Sequence, residues 1–579
     1  MKVKANTALR PLVRSVAVAL GLSFVAPAFS QVATPTAPGQ TPQDIDPARR
    51  TPALQPALID PRALSVSGDC AFAGKGEVTL TRIDVTGATL VGREAIDAAV
   101  ADLLGRPSDA AVLCTARDRV AALYAARGEA LSRVDLPEQR MSDGVLTLRV
   151  TEGRLVSTLV QNAQAQGPSA ELARAYLSNA SGDGATRWRD VERAFMQIRE
   201  IPGAEPRFAL RRASDGSDDG LEVAVDFAPR RRFDFIVNAQ NLGSEELGRE
   251  GASLRVDGNS LTRFGDRTSL VLFSSFGGEQ KVVQLMEEVR LGASGWLVLA
   301  DFAYGRSRPG GGLAPLELEG SSKVGRLGAR YGWIKQRDAA VDIGMRLEAI
   351  DQKNDLGFLR SVGLGTVPLF EERLRVLALE ANGRWQPRAM PQLNTGFGLE
   401  LRQGLDALGA SDNGDALLSR AEGRTDFTSL RANAAARWTS IAGGARPYMQ
   451  AAASGQWTAD ALPAYEEFQI GNYTVGRGFD PGAASAERAV ALQLEGGVDL
   501  ARGTHVISLF GFADGARLWN LDAGSYDSSP WSAGVGLRLR GRAGQLEATY
   551  AVPQDPAVPG VPTPDERLLF TYTHSFSIR

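Results

Sequence analysis

The hydrophobic pattern of the chain changes near Arg231. Before that residue, short alternating stretches are separated by stretches with apolar residues at helical spacing. After it, alternation with a period of two dominates to the C-terminus. The last segment, ERLLFTYTHSFSIR, shows this most clearly, with large apolar residues on one face of a strand and hydroxyl residues on the other. The apolar face holds Leu568, Phe570, Tyr572, Phe576 and Ile578.

The alternating region, residues 231–579, predicts an all-β transmembrane barrel. A soluble β-sandwich also alternates, but a region of roughly 348 residues exceeds the size of about 100 residues that is usual for such a domain. Allowing about 22 residues for each strand and its connection gives about sixteen antiparallel strands, and outer-membrane barrels of one chain use an even number.

The region before the barrel predicts two α+β units in tandem, each with the order β-α-α-β-β. The first spans residues 70–154, and in it the segment Val78 to Val85 predicts one strand with a slip in phase. The second spans residues 155–230 and ends in a strand of unbroken alternation, with Leu221, Val223, Val225 and Phe227 on one face.

The N-terminus has the pattern of a secretory signal peptide over residues 1–30. Four basic residues precede an apolar run, Val16 to Phe29, that is too short to span a bilayer and ends in a small-x-small cleavage pattern. The basic residues are Lys2, Lys4, Arg10 and Arg14. Residues 31–69 are rich in Pro, Thr, Ala and Gln, which predicts a linker. No later stretch is apolar enough to predict a transmembrane helix.

The two cysteines, Cys70 and Cys114, fall in the first unit. An exported protein meets an oxidising compartment, and the even count favours a disulfide between them. Two unrelated buried thiols are the alternative.

Charge and motifs exclude several classes of function. The formal net charge of −3, with Lys and Arg spread along the chain, argues against nucleic acid as a partner. Both histidines, His505 and His574, fall in predicted strands, and neither H-E-x-x-H nor G-x-S-x-G occurs. We therefore expect no enzyme activity, no cofactor and no metal site.

Several stretches carry a resemblance to a known family. The first unit contains VTGATLVGREAI, GEALSRVDLPEQ and GVLTLRVTEGRL, the second contains REIPG, and NLGSEELGREGASLRVDGNSLTRFGD follows. In their order these stretches resemble the POTRA domains and the first barrel hairpin of the two-partner secretion transporters of the outer membrane (TpsB). That family is the haemolysin secretion/activation branch of the BamA-like superfamily.

The resemblance extends to a loop that this family folds back into the barrel. The stretch NYTVGRGFDPG falls between the predicted strands eleven and twelve, within an inserted loop around residues 470–486. Arg477, Gly478 and Phe479 match the family's tip motif, Val-Arg-Gly followed by Phe or Tyr, with Gly476 in place of the branched residue. In FADGARLW, Asp514 matches the family's Phe-x-Asp-x-Gly pattern, with Ala516 at the glycine. The resemblance implies an Arg477–Asp514 salt bridge.

The resemblance also implies the function. The barrel would sit in the bacterial outer membrane, in contact with its lipid and placed there by the barrel assembly machinery, with the POTRA domains in the periplasm. It would secrete, and in some cases activate, a large partner exoprotein with an N-terminal secretion domain, such as an adhesin or a haemolysin. A plug helix is expected within residues 31–69. An outer-membrane assembly factor and a diffusion porin remain as alternatives.

Overall fold

The structure, a computed structural model, describes most of the chain after the predicted linker. The described residues are 70–578 apart from 142, 162–166, 359, 361–362, 364, 441–443, 473–474, 522–525 and 543. The predicted signal peptide, linker and plug helix lie outside them. Within the described residues, no helix is both long enough and apolar enough to cross a bilayer.

The first unit is a three-stranded sheet covered by two helices. Its core places Leu146 and Leu148 of the central strand, both fully buried, against the helices. The sheet order is β2-β5-β4, with β2 parallel to β5, and β1 pairs with β3 in a separate small sheet. The elements are β1 Glu77–Thr79, β2 Arg82–Thr86, α1 Arg93–Val100, β3 Pro107–Asp109, α2 Val112–Ala126, β4 Ser132–Asp135 and β5 Val145–Glu152.

One prediction for this unit is wrong. The segment Val78 to Val85 is two strands in two different sheets, rather than one strand with a slip in phase. The chain leaves the first sheet after Thr79, and the Thr81 amide donates to the carbonyl of Gly144 (2.9 Å) as the chain enters the second. The phase of buried residues resets because each strand faces a different part of the core.

The second unit has the same plan. Its three strands form a sheet in the order β6-β8-β7, with β6 parallel to β8. Two helices cover one face, and Phe195 stacks on Phe208 with ring centroids 4.1 Å apart. The elements are β6 Arg154–Gln161, α3 Pro168–Ser178, α4 Trp188–Arg199, β7 Pro206–Arg212 and β8 Gly220–Phe227.

A disulfide joins Cys70 to Cys114 at the start of α2, with their Cα atoms 5.8 Å apart. The bridge fixes the segment before β1 to the helix layer of the first unit. It spans 44 residues of sequence, and closing a loop of this length stabilises a fold by about 4 kcal/mol on the chain-entropy model.

The remaining chain forms the predicted barrel, and the predicted count of sixteen antiparallel strands is confirmed. The first strand, β9, pairs with both β10 and the last strand, β26, so the sheet is closed. The strands are β9 Phe233–Gln240, β10 Gly251–Asn259, β11 Arg267–Ser275, β12 Gln280–Arg290, β13 Trp296–Ser307, β14 Leu318–Lys335, β15 Ala339–Leu356, β16 Val367–Trp385, β17 Leu393–Gly404, β18 Thr428–Thr439, β19 Ala445–Thr458, β22 Arg488–Arg502, β23 His505–Trp519, β24 Trp531–Arg540, β25 Gly544–Pro553 and β26 Arg567–Ile578.

The barrel is apolar outside and polar inside. Along β24, Val535 and Leu537 are exposed on the outer surface, whereas Ser532 is fully buried on the inner one. On β26, Leu568 and Phe570 point outward as the alternation predicts. An outer face of this kind is stable against lipid, and the polar inner face lines the lumen.

The second unit is fixed to one end of the barrel, which we call the proximal end. Ser260 donates through Oγ to the carbonyl of Pro202 (2.8 Å), and Lys335 Nζ lies 2.7 Å from Glu200 Oε1. Arg290 of β12 donates through Nη2 to the carbonyl of Glu200 (2.5 Å) at the same junction. The second unit therefore lies at the proximal mouth of the lumen.

Candidate functional site: a loop folded into the lumen

The described residues of 459–487, between the eleventh and twelfth barrel strands, fold inward from the distal end. We call this segment the inserted loop. Its two arms pair as a short hairpin, β20 (Phe468–Gln469) with β21 (Ser485–Ala486). Phe479, beyond the hairpin, is fully buried. It packs in a cluster that joins the loop to the barrel wall and contains Ile470, Val475, Ala484, Ala486, Ala489, Ala491, Ala516, Leu518 and Ala557.

Glycines shape the turns of the inserted loop. Gly471 has φ +133°, and a Cβ placed there would lie 2.2 Å from the carbonyl oxygen of Asp480. Gly476 has φ +93°, in the left-handed region that favours glycine. A branched residue would be strained in this backbone, and the neighbouring Val475 supplies the apolar contact.

The tip of the loop places Arg477 against an acidic wall. Its Nε lies 3.3 Å from Asp514 Oδ2, and its Nη1 lies 3.1 Å from Glu495 Oε2. The Arg477 amide also donates to Asp514 Oδ1 (3.2 Å). The guanidinium lies over the ring of Phe512, 4.1 Å from its centroid. The planar fork of donors therefore bridges two carboxylates and an aromatic face, which lysine could not reproduce.

Gly478 lets the tip lie close against the wall. Its amide donates to Ser532 Oγ (3.1 Å), and Ser532 in turn donates to Asp514. A Cβ on Gly478 would lie 2.9 Å from both the backbone nitrogen of Pro553 and the Cβ of Ser532. Only glycine fits this approach without displacement of the backbone.

The glycine of the Phe-x-Asp-x-Gly pattern is replaced in a way that the packing explains. Ala516 lies on the inner face of β23 and belongs to the cluster around Phe479, so its methyl group fills space against the loop. Gly515 lies on the other face, where a Cβ would meet the Cβ of Trp531 at 2.5 Å. The shifted glycine therefore serves the packing of β24.

Two partners of this site were missed by the sequence reasoning. Glu495 lies opposite Phe512 in the β22–β23 register, and Ser532 lies opposite Asp514 in the β23–β24 register. The alternation in VALQLEGG puts Glu495 on the polar face of its strand, which was an available signal. No such signal marked Ser532, because its contact with Asp514 depends on the register between strands.

Glu495 extends the site into a chain of alternating charges. It lies 3.3 Å from Arg538 Nη1, and Tyr448 donates its hydroxyl to the same carboxylate (3.0 Å). Arg538 Nε lies 2.7 Å from Glu547 Oε2. Since each charge meets an opposite one, the wall holds these groups away from water at a lower desolvation cost than isolated charges would carry.

The tip also reaches the seam between the first and last strands, another contact that the sequence reasoning missed. Asp480 Oδ1 lies 3.0 Å from Arg249 Nη1 in the β9–β10 loop and pairs with Arg567 at the start of β26. Asn472 donates to the carbonyl of Leu242 (3.0 Å). The inserted loop therefore contacts both edges of the seam.

The site is built from ion pairs and hydrogen bonds between the loop tip and the barrel wall. His505 and His574 lie in β23 and β26, away from the loop tip. Among residues 70–578, with the gaps given above, no group of His, Cys, Asp or Glu side chains is arranged to hold a metal ion. Ion pairs and hydrogen bonds of this kind form and break without covalent change, so the tip can be released and docked again.

Comparison with known proteins identifies the family. A model of the "Haemolysin secretion/activation protein ShlB/FhaC/HecB" family matches residues 219–539, and one of the "POTRA domain, ShlB-type" matches residues 78–153. No curated protein matches the chain.

Solved structures share the fold. CdiB from Escherichia coli is similar with a TM-score of 0.71 at 16% identity over 100% of both chains. CdiB from Acinetobacter baumannii is similar with a TM-score of 0.67 at 14% identity, over 93% of this chain and 98% of that one. At these identities the likeness concerns the fold alone.

The family match covers more than half of the 579 residues. Its members are two-partner secretion transporters of the outer membrane, and the POTRA domains lie in the periplasm, which makes the proximal end of the barrel periplasmic and the distal end extracellular. The chain belongs to the haemolysin secretion/activation protein family ShlB/FhaC/HecB and is an outer-membrane transporter of the two-partner secretion pathway.

Proposed function

We propose that this transporter secretes one large exoprotein, such as an adhesin or a haemolysin, and that the inserted loop is the gate that the passing chain displaces. The observation that carries the gate is the Arg477 fork between Asp514 and Glu495. Lipid and the barrel assembly machinery are the other partners that we propose, since the apolar outer face of the barrel needs both a bilayer and a means of insertion.

The energetics suit a gate that is closed at rest. Asp514 is fully buried and Arg477 is about one-fifth exposed. Breaking a buried pair by removing one partner costs about 3–5 kcal/mol, whereas a solvated pair contributes less than about 1 kcal/mol. With partial exposure, the tip lies between these limits, firm enough to stay docked and weak enough to yield to an entering chain.

Capture of the partner would begin at the periplasmic units. Each unit has a three-stranded sheet with two free edges, β2 and β4 in the first and β6 and β7 in the second. A free edge offers unpaired backbone groups to an extended segment, whatever the sequence of that segment. An unfolded secretion domain could therefore add a strand before it enters the lumen, and folding of the partner outside the cell would give the transport its direction.

The gate is tested by Arg477→Ala. We expect secretion of the partner to fall by about tenfold or more, because Asp514 loses its cation and a loop that no longer docks lies loose in the path of the passing chain. The measurement is the amount of partner in the culture supernatant. The matched control is Arg517→Ala. Arg517 lies on β23, the strand that carries Asp514, and its side chain is about half exposed, so this variant should secrete normally.

Assembly of each variant is checked by whether the barrel migrates as a folded species in detergent gels before heating. Normal secretion by a folded Arg477→Ala barrel would overturn the gate.

Deletion of the whole chain tests the pathway: loss of one large secreted protein is expected. A general fall in outer-membrane barrels would indicate an assembly factor instead, and no change in either would indicate a porin.

A further inference from the structure

We propose that the inserted loop has a second anchor at its base, in which Arg402 and Arg431 hold Glu466, and that this anchor stays closed while the tip is released. The inference rests on the proposed gate, because it names the fixed point about which the gate turns. It assigns a positioning role to residues outside the tip motif.

The carboxylate of Glu466 is held by two arginines. Arg402 donates to it in a bidentate manner, through Nε at 2.9 Å and Nη2 at 2.8 Å. Arg431 donates through Nη2 to the same carboxylate and to the backbone carbonyl of Glu466, both at 2.8 Å. Gln456 Nε2 donates to that carbonyl as well (2.9 Å). Side chain and backbone of one loop residue are thus held together.

Arg402 is itself fixed by the barrel wall. Its Nη2 also lies 2.7 Å from Glu348 of β15, and its Nη1 lies 2.6 Å from Glu400 of its own strand. Arg346 pairs with both of these carboxylates, at 2.5 Å and 3.0 Å. The anchor is therefore part of a network across several strands, and it cannot follow the loop when the loop moves.

Burial separates the two anchors. In the base anchor, Glu466 and Arg402 are 0% and 3% exposed and Glu348 behind them is 2% exposed, with Arg431 at the rim of the anchor 31% exposed. At the tip, Arg477 is 21% exposed, so the tip has no cation as enclosed as Arg402 among the contacts described above. Water can replace the partners of a partly exposed guanidinium as it leaves, but a fully enclosed pair has no such substitute. The tip is therefore the anchor that opens first.

The two anchors also lie on different parts of the wall. The base is held by β17 and β18, which precede the loop in the chain. The tip is held by β22, β23 and β24, which follow it, and through Asp480 by β26 and the β9–β10 loop. The loop therefore runs from one set of strands to the other. Release of the tip alone would swing the loop toward the base and open the side of the lumen lined by β22 to β24.

The test uses Glu466→Gln, which keeps the shape and removes the charge. A reporter, Ala484→Cys, is placed in the buried loop cluster, where Ala484 is 3% exposed. Labelling of this thiol on intact cells by a membrane-impermeant maleimide reports where the loop lies, independently of transport. The matched control is Glu371→Gln, an exposed glutamate of β16, which should label and secrete as the parent does.

In Glu466→Gln we expect the labelling rate at residue 484 to rise about tenfold and secretion to fall, with the barrel still folded in unheated detergent gels. If the variant does not assemble, Arg431→Lys replaces it. This change keeps a cation but loses the fork, and it should raise labelling about threefold. The base anchor would be overturned if a folded Glu466→Gln protein were labelled at the parent rate. The same result in Arg431→Lys, where that variant is used, would also overturn it.

The outcome is separable from that of the proposed gate. Arg477→Ala in the same reporter background should also raise labelling if the tip docks as described. Normal secretion with raised labelling in Arg477→Ala would overturn the gate. The labelling rate of residue 484 in Glu466→Gln tests the base anchor whether or not the gate is overturned.

Discussion

At the scale of single residues, Gly478 is a point at which the backbone of the inserted loop meets the barrel wall. Because glycine has no side chain, the loop backbone approaches Pro553 and Ser532 so closely that a Cβ at this position would lie 2.9 Å from atoms of both residues. We expect Gly478→Ala to displace the tip and to lower secretion about tenfold, although the substitution removes no charge and no hydrogen-bonding group. The measurement is partner in the supernatant, with assembly followed in detergent gels.

Gly496→Ala is the matched control for that prediction. Gly496 lies on the neighbouring strand β22, and a Cβ there would meet no atom within 4 Å. Normal transport is expected from this variant. If Gly478→Ala transports as well as Gly496→Ala does, the close approach has no part in docking the tip.

Single residues also show what a sequence can reveal of such a site. Arg477, Gly478, Phe479 and Asp514 were found because they fall in short motifs, and the structure brings all four to one place. Glu495 was missed because its contact with Arg477 depends on strand register and on how far the loop enters the lumen. Glu466 was missed for the same reason, since it stands 64 residues from Arg402 in sequence.

At the scale of elements, alternation predicted the barrel strands well because lipid imposes one apolar face on every strand. The last alternating segment, for example, forms strand β26, Arg567–Ile578. The periplasmic units were harder, because a strand there may face two different cores. The break between β1 and β2 is an example, since the change of sheet at Thr81 looked like a slip within one strand.

One element-scale contact in the first unit depends on pH. Glu152, at the end of β5, accepts hydrogen bonds from the amides of Thr89 (2.7 Å) and Leu90 (2.8 Å) and from the hydroxyl of Tyr124 (2.7 Å). Burial raises the pKa of Glu152, but these bonds and one from the Thr89 hydroxyl outweigh it, so that its pKa lies below the ordinary value. The carboxylate ties the sheet to α2 and to the segment before α1.

We therefore expect Glu152→Gln to lower the free energy of unfolding of the first unit by about 2–3 kcal/mol at neutral pH. Because the folded pKa is depressed, the stabilisation is complete above the unfolded pKa of about 4.3 and is lost as the pH falls through the folded value. The difference between variant and parent should shrink over that acidic range. Hydrogen exchange of β5 in the full-length protein during urea unfolding, at several pH values, measures it.

Glu138→Gln supplies the control for this prediction, since Glu138 is an exposed glutamate of the same unit. It should unfold like the parent at every pH. A Glu152→Gln protein whose stability differs from the parent by the same amount at neutral and acidic pH would show that the carboxylate acts through packing alone.

At the scale of the whole molecule, the seam between β9 and β26 closes the barrel. The ladder of paired residues ends at Thr571 and Gln240, so the first four residues of β26 lie beyond it. There the side chain of Asn241 donates to the carbonyl of Leu568 (2.8 Å) and accepts from the amide of Phe570 (2.6 Å). The Asn241 amide also donates to the carbonyl of Phe570 (3.2 Å), so this extracellular end of the seam is held by one backbone bond together with the Asn241 side chain.

The inserted loop completes this closure. Asp480 lies three residues from Arg477 and pairs with Arg567 on one edge of the seam and Arg249 beside the other. A loop that leaves the lumen must therefore release the seam as well. This links the state of the gate to the closure of the barrel through one carboxylate.

We expect Asp480→Ala to speed hydrogen exchange about tenfold in a peptide covering Arg567–Thr571, because Arg567, which is 9% exposed, loses its carboxylate and the Asn241 bonds lose their support. Exchange at the periplasmic end of β26, Ser575–Ile578, should be unchanged, since the backbone ladder holds it. Asp555→Ala, in the exposed β25–β26 loop, is the control. Faster exchange along all of β26 would indicate general loss of stability, and parent-like exchange in both peptides would mean that the loop does not support the seam.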